Sequence, residues 1–169
     1  MHRFIPTVLI LSFTMFLMAA PEVETPKEAP PSSVEQARAR ALLLHDTFET
    51  TLHAIHHEYY REDENLTLPA ALFRDVFEDL AKRHHVRLRW LAVEGQAMNV
   101  EHEAATDFEK EAVRVLASGQ PELEKIEHGR YTRAGRITLT SECLKCHVPD
   151  RKSTADRAAG LIISIPLPK

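Results

Sequence analysis

The sequence predicts an α+β domain in which a long first helix and further helices pack on one side of a small antiparallel sheet. Three observations predict it. Two helical patterns occupy residues 33–84. A strand pattern at 86–93 follows them, and a capped helix follows that strand. Two more strand-like stretches come last, at 123–140 and 160–167, and this order of elements is typical of helices layered on an antiparallel sheet.

The first two helices are predicted from the spacing of apolar residues and from the residues that begin them. Across 33–60, apolar side chains recur at intervals of three and four, and Ser32 or Ser33 can cap the helix. The second helix is predicted to begin at Pro69, because proline is favoured in a first turn, and to continue to His84.

The middle of the chain predicts one strand and one helix. In 86–93 apolar residues alternate with arginines, which indicates a strand with one buried and one exposed face. Thr106 and Glu109 have the spacing of a capping box, which begins the third helix. Gly119 stands where a glycine commonly ends a helix.

The last strands are predicted from apolar runs and turn residues. Gly129 and Gly135 are predicted to form turns within 123–140. The stretch 160–167 is apolar enough to be a central strand, which is covered on both faces.

The start of the chain predicts export. Residues 1–20 contain a short basic start, an apolar run and two small residues, the order of a signal peptide cleaved after Ala20. An uncleaved leader that anchors the protein in a membrane is the alternative. Residues 21–33, rich in proline and glutamate, predict a flexible linker, and 34–169 then form the folded domain. The predicted location is periplasmic or otherwise exported.

Charge and motifs exclude several classes of function. The formal net charge is −4, so no excess of basic residues favours nucleic acid as a partner. The sequence has no glycine-rich phosphate loop, no zinc-protease motif and no recognisable Ser/His/Asp set. No enzymatic activity is therefore predicted.

The strongest motif holds the only two cysteines of the chain. Cys143, Cys146 and His147 form C-L-K-C-H, the attachment pattern of c-type haem. Two thiols one turn apart can form thioethers to the haem vinyl groups, and the histidine is then the proximal iron ligand. A redox disulfide does not require the histidine, and an adjacent Cys and His rarely reach one tetrahedral zinc ion. One covalent haem c, attached after export by the c-type maturation machinery, is the prediction.

The distal iron ligand is predicted on the first helix. At about 100° per residue, His45 and His56 lie within roughly 40° of the apolar stripe, and His53 lies about 100° away. His45 and His56 are about 16 Å apart along the helix, so both cannot bind one iron. His56 is the preferred ligand, with His53, His45 and Met98 as alternatives and His102 as a further competitor. Five arginines are candidates to bind the haem propionates: Arg87, Arg89, Arg130, Arg133 and Arg136.

Over roughly residues 35–168 the chain resembles a bacterial single-haem c-type family with a PAS-like fold, formerly a domain of unknown function and also found in sensor proteins. The resemblance rests on three segments: FEKEAVRVLASG, CLKCH and AGLIISIPLP. It implies a long N-terminal helix over an antiparallel sheet, haem held by the C-L-K-C-H residues, and a distal ligand from the first helix. Val148 departs from the glycine that usually follows the haem histidine in this family.

The predicted function is electron transfer by an exported single-haem c-type cytochrome. Its partner would be a redox protein or a small-molecule electron donor or acceptor. The alternative is a haem-based sensor of redox state or of a diatomic gas, which signals through a separate partner.

Overall fold

The computed structural model describes residues 30–59, 61, 64, 66–97, 99–148 and 150–168. The predicted signal peptide, residues 21–29 of the predicted linker, and Met98 lie outside the described residues. Within the described part of the chain, no helix has the length and apolar character needed to cross a membrane.

The architecture is α+β, as predicted. In chain order the elements are α1 (Val34–Glu58), α2 (Pro69–His84), β1 (Arg87–Ala92), a 3₁₀ turn (Val100–His102), α3 (Asp107–Ala117), β2 (Glu122–Glu127), β3 (Arg130–Leu139), α4 (Leu144–His147) and β4 (Arg157–Pro166). The four strands form one antiparallel sheet in the order β1-β4-β3-β2. The last strand is therefore central, as its apolar sequence predicts.

Local signals place the starts of the helices correctly. The hydroxyl of Ser33 accepts a hydrogen bond from the backbone N–H of Gln36, at 3.3 Å, and begins α1. Proline stands in the first turn of α2. Thr106 and Glu109 form both hydrogen bonds of the capping box at α3, so two backbone donors are satisfied at the helix start.

The structure confirms the prediction for one of the two turn glycines and contradicts it for the other. Gly129 and His128 both have positive φ and form the turn between β2 and β3, as tight hairpins require. Gly135 was predicted to be a turn, and that prediction is wrong, because it lies inside β3. A Cβ at Gly135 would occupy the space taken by the side chains of Arg133 and His45. Close packing of these two side chains explains why position 135 is a glycine.

The core has two halves, one on each face of the sheet. On one face α1 and α2 pack against Leu161, Ile163 and Ile165 of β4. On the other face α3 packs against Ile162. The prediction of helices on a single side is therefore wrong. The reason is that β4 carries apolar side chains in both directions, so both faces need to be covered.

An aromatic cluster sets the spacing between α1, α2 and the sheet. Phe48 of α1 makes edge-on contacts with Phe73 and Phe77 of α2, at centroid distances of 5.3 and 5.1 Å. Trp90 of β1 packs on Phe77 at 5.2 Å, and its indole N–H donates to the Ala70 carbonyl at 3.1 Å. Beside this cluster the two helices leave a cavity.

Candidate functional site

The C-L-K-C-H motif is held on one short helical turn. The His147 N–H donates to the Cys143 carbonyl at 3.1 Å. Leu144 is fully buried and fixes the turn against the core, and Arg151 donates to the Leu144 carbonyl at 3.2 Å. Cys143 and Cys146 are free, half-buried thiols. Residues three apart on a helix lie on the same side, so the turn presents both thiols together.

A cavity of about 820 Å³ lies between α1, α2, β1, the loop at 93–97 and α4. This volume is within the range of roughly 300–1,000 Å³ found for pockets that hold small molecules and cofactors. Its apolar walls come from both helices and the sheet: Leu52, Phe77, Leu88, Trp90, Ile137 and Leu139. Among the described residues, chemically active side chains also line it: His53, His56, His102, Cys143 and His147. The fold thus joins the first helix to the cysteine motif.

His56, one of the cavity histidines, is oriented by a hydrogen bond to its own helix. It is half-buried, and its Nδ1–H donates to the Leu52 carbonyl at 2.8 Å. This tautomer carries a lone pair on Nε2. Burial lowers the pKa of His147, and repulsion from the neighbouring His56 and His102, whenever either is protonated, lowers it further. The His147 imidazole is therefore kept in the neutral form that binds metals.

His53 also reaches the cavity, although helical geometry places it to the side of the apolar stripe. Its Nε2 lies 3.1 Å from the Thr138 carbonyl of β3 and donates a hydrogen bond to it. The outer ring nitrogen of His53, Nε2, is thus already hydrogen-bonded to strand β3. His56, by contrast, is hydrogen-bonded to its own helix through Nδ1.

The structure does not bring His45 to this cavity. Its side chain is 4 % exposed and lies against Gly135 of β3. Its Nδ1 is 3.5 Å from Asp46 and 3.7 Å from Glu49. This position argues against His45 as an iron ligand. Met98, the remaining alternative, lies outside the described residues.

His102 also lines the cavity, and Arg89 fixes the turn that carries it. The guanidinium of Arg89 donates to the carbonyls of Glu101 and Glu103 and to the Glu109 carboxylate. These bonds fix the 3₁₀ turn that carries His102 into the cavity. Burial and the nearby Arg89 charge lower the pKa of His102. The sequence alone left His102 as a competitor, and the structure places it at the site.

The five arginines predicted as candidates to bind the haem propionates lie in different parts of the fold. Arg89 is engaged as described, Arg133 is buried against Glu122, and Arg136 donates to the Leu116 carbonyl. Arg130 donates to Ser164 and to the His85 carbonyl. Two exposed arginines line the cavity rim: Arg87, which the sequence named, and Arg74, which it did not. Arg74 was missed because its sequence position is that of an ordinary exposed residue of α2.

Gly95 lies on the cavity wall next to α4, and the sequence alone gave no sign of its role. Gly95 has φ +112°, and a Cβ there would lie 2.8 Å from the His147 carbonyl oxygen. The same Cβ would lie 3.1 Å from Val148 Cγ2. Only a residue without a side chain fits between this loop and the haem-motif histidine. Val148, the departure from the family pattern, packs at this contact.

The fold and the cavity define a small α+β domain with a cofactor-sized cavity beside a four-stranded antiparallel sheet. The sequence model of the Tll0287-like family matches residues 31–161, and the chain belongs to that family. This confirms the predicted family resemblance.

The solved structure described as "Crystal structure of the cyanobacterial heme-protein Tll0287" has a similar fold, with a TM-score of 0.61 and 12 % identity. The match covers 80 % of this chain and 97 % of that one. Comparison with curated proteins gives no match. Among the described residues, no group of three or more His, Cys, Asp and Glu side chains is arranged to hold a bare metal ion.

Proposed function

We propose that the protein binds one covalent haem c and acts in electron transfer. The observation that carries this proposal is the shared cavity of Cys143, His147 and His56, which brings two distant parts of the chain together. The similar structure of a cyanobacterial haem protein supports it. We infer that Cys143 and Cys146 form the thioethers, that His147 is the proximal ligand and that His56 is the distal ligand.

The residues at the site fit a haem. The cavity walls are mainly aliphatic and aromatic, which suits a flat apolar macrocycle, and the rim carries Arg74 and Arg87, which suit its propionates. Cys143 lies on the cavity wall. Cys146 is not on that wall, but it follows three residues later on the same turn, at the spacing that two vinyl groups require.

The chain would set the properties of the bound group through ligands, burial and hydrogen bonds. A haem held in this site would supply a one-electron Fe(III)/Fe(II) couple. The Leu52 carbonyl orients the His56 ring, as partners of metal-bound histidines do. Trp90 and the other apolar wall residues would surround the bound group with side chains of low polarity. Two fixed imidazoles favour a stable six-coordinate centre over an open one.

A haem-based sensor is the alternative function. The observation that favours it is the presence of His53 and His102 on the same cavity as His56. If His56 were displaced by a diatomic gas, His102 could donate a hydrogen bond to the bound gas, and His53 could do so if it gave up its bond to the Thr138 carbonyl. Under the main proposal, we expect the protein to be exported and the c-type maturation machinery to attach the haem. We also expect a redox partner to exchange electrons with it, and we expect it to have no enzymatic activity.

The test is to co-express the full chain with the c-type maturation machinery. Covalent haem is detected on a denaturing gel, and spin state is read from visible spectra. We expect gel-stable haem with a sharp low-spin reduced α-band that carbon monoxide does not change. Replacement of both cysteines by alanine abolishes the gel-stable haem. A wild-type chain without covalent haem contradicts the proposal, and rapid carbon monoxide binding favours the sensor.

The distal ligand is tested with three alanine variants. We expect His56→Ala to convert the spectrum to high spin, because one axial ligand is lost. His57→Ala is the matched control, since His57 is adjacent, exposed and not on the cavity. His53→Ala is the competitor. A spectrum that becomes high spin in His53→Ala and stays low spin in His56→Ala would reverse the assignment.

A further inference from the structure

A second groove lies next to the cavity, at the end of α2. It has a volume of about 870 Å³ and is formed by the last turns of α2, the first residues of β1 and β3, and the end of β4. Three residues line both the groove and the cavity: Glu78, Ala81 and Arg87. A molecule seated in the groove would therefore lie beside the proposed haem.

The groove carries an excess of positive charge. Four lysine and arginine side chains and two histidines line it: Lys82, Arg83, Arg87, Arg130, His84 and His85. Among the described residues, Glu78 supplies the only carboxylate on its wall. The whole chain, by contrast, has a formal net charge of −4. Positive charge is thus concentrated at one place on an acidic protein.

Stabilisation of a helix end explains only part of this charge. Cations are favourable in the last turn of a helix because that end is partially negative, and Lys82 and Arg83 stand there. Each also pairs with a carboxylate one turn earlier, at 3.5 and 3.0 Å. Arg87 and Arg130 lie on strands, so a helix end does not account for them.

Arg130 is held in place by uncharged partners. Its guanidinium donates to the hydroxyl and the carbonyl of Ser164, at 2.8 and 2.7 Å, and to the His85 carbonyl at 3.0 Å. Burial and the nearby charge of Arg87 lower the pKa of Arg130. The two guanidinium groups therefore repel each other, and an acidic group in the groove would relieve that repulsion.

The exposure of the cations favours a large partner over a small anion. The side chains of Lys82 and Arg83 are 69 and 66 % exposed, so they face solvent and do not enclose a small ion. A single exposed ion pair contributes little to affinity in water. Several exposed charges together attract and orient a protein surface of opposite charge.

We propose that this groove docks the electron-transfer partner, and that the partner presents an acidic protein surface to it. This inference rests on the proposed function and names the chemistry of the redox partner. One electron passes between the redox centre of the partner and the haem iron, and no bond forms or breaks. The positive groove increases the rate of encounter and holds the partner beside the haem cavity.

The experiment measures, by stopped-flow spectroscopy, how fast a reduced acidic ferredoxin reduces the haem-loaded full chain. A plant-type ferredoxin has a potential of about −400 mV and is therefore a strong donor. The groove variant combines Lys82→Gln with Arg83→Gln. The matched control combines Lys110→Gln with Arg114→Gln, two exposed cations of α3 on the other face of the sheet. The methyl viologen radical, a cation, serves as a second donor.

We expect the rate with ferredoxin at low salt to fall about tenfold in the groove variant, because electrostatic steering changes association rates by roughly 10- to 1,000-fold. In the control variant it should fall about twofold at most. At 1 M salt the Debye length is about 3 Å, so the rates of all three proteins should agree. The rate with methyl viologen should not fall in either variant.

Two results would show that the groove is not a docking site. A fall in the control variant as large as in the groove variant overturns the inference, since the effect would then come from net charge alone. A wild-type rate that does not depend on salt overturns it also, whatever the variants do. An equal fall with methyl viologen has the same consequence, because the substitutions would then alter the haem.

Two further results would give the groove a different occupant and so overturn the inference. The first is saturable binding of inorganic phosphate, measured by titration calorimetry and lost in the groove variant. The second is a rate that rises about tenfold when Glu22→Gln, Glu24→Gln and Glu28→Gln are combined, since the predicted linker of the chain would then occupy the groove. Absence of gel-stable haem overturns the proposed function, whereas covalent haem with any of these results overturns this inference alone.

Discussion

The two faces of the sheet are packed differently. On one face α3 lies directly on the strands, and Ala112 and Leu116 are completely buried there. On the other face α1 and α2 are held apart by aromatic rings, and an 820 Å³ cavity remains beside them. The face covered by one short helix is the closed one, and the face covered by two longer helices is the open one.

This difference leaves room for a cofactor-sized group on one side of a small domain. The closed face supplies apolar burial without interruption, while the open face gives up part of that burial to make room. The polar network of Arg89, Glu109 and the carbonyls of the 3₁₀ turn connects the two faces around the edge strand β1. We therefore expect stability to depend on the closed face and cofactor binding on the open one.

The largest expected effect comes from the same substitution on each face. Leu116→Ala should lower the free energy of unfolding by about 3–5 kcal/mol, because it leaves a cavity in a closed core. Leu52→Ala should cost less, about 2 kcal/mol in the haem-free chain, since Leu52 already borders a cavity. Urea unfolding of the two variants measures both values. Equal losses would show that the faces are packed alike.

A smaller effect is expected where the open face meets the haem motif. Gly95→Ala should lower the free energy of unfolding by about 2 kcal/mol and reduce the yield of covalent haem, because the new Cβ meets the His147 carbonyl. Gly119→Ala is the matched control, since Gly119 also has positive φ but a Cβ there would have no neighbouring atom within 4 Å. It should cost about 1 kcal/mol from backbone strain alone, with an unchanged haem yield. Equal haem yields in the two variants would refute this role for Gly95.

The smallest effect concerns the network that links the faces. Burial opposes ionisation of Glu109, but hydrogen bonds from Arg89 and from the N–H groups of Thr106 and Ala105 outweigh it and lower the pKa of Glu109. A lowered carboxyl pKa stabilises the fold above the unfolded-state pKa of about 4.5, and this stabilisation is lost as pH falls through the folded-state value.

Glu109→Gln should therefore lower the free energy of unfolding by about 1–2 kcal/mol at pH 7, with a difference from wild type that shrinks below about pH 4.5. Urea unfolding from pH 3 to 8 measures this difference. The matched control is Glu111→Gln on the exposed side of α3, where we expect almost no change. A loss that is equal at pH 7 and pH 3 would mean that the charge of Glu109 contributes nothing.

Much of the fold could be predicted from local patterns, and the errors share one cause. Ser33, Pro69 and the capping box are signals within a few residues, so the helix starts were predicted correctly. Gly135 was mistaken for a turn because its reason is contact with His45, ninety positions away in the chain. The second covered face was missed because a periodic pattern does not say where α3 will pack.

The candidate site divides in the same way. The C-L-K-C-H motif is local, and the sequence alone predicted its chemistry and three of its residues. Helical geometry placed His56 and His45 equally close to the apolar stripe of α1, and the sequence preferred His56. The tertiary structure places His56 on the cavity wall and His45 against β3. Gly95 and Arg74 carry no local signal, and their roles come from neighbours distant in sequence.

By itself, the sequence determined the α+β class, the boundaries of the long helices and the central position of the last strand, and it predicts the chemistry of the C-L-K-C-H motif. The tertiary structure decided which histidines meet His147, which face of the sheet holds the cavity, and which arginines are already engaged. The physical reason is the distance along the chain over which each effect acts. Backbone propensity, capping and motif chemistry act between neighbours in the chain, whereas a cavity is a property of elements that packing brings together from far apart.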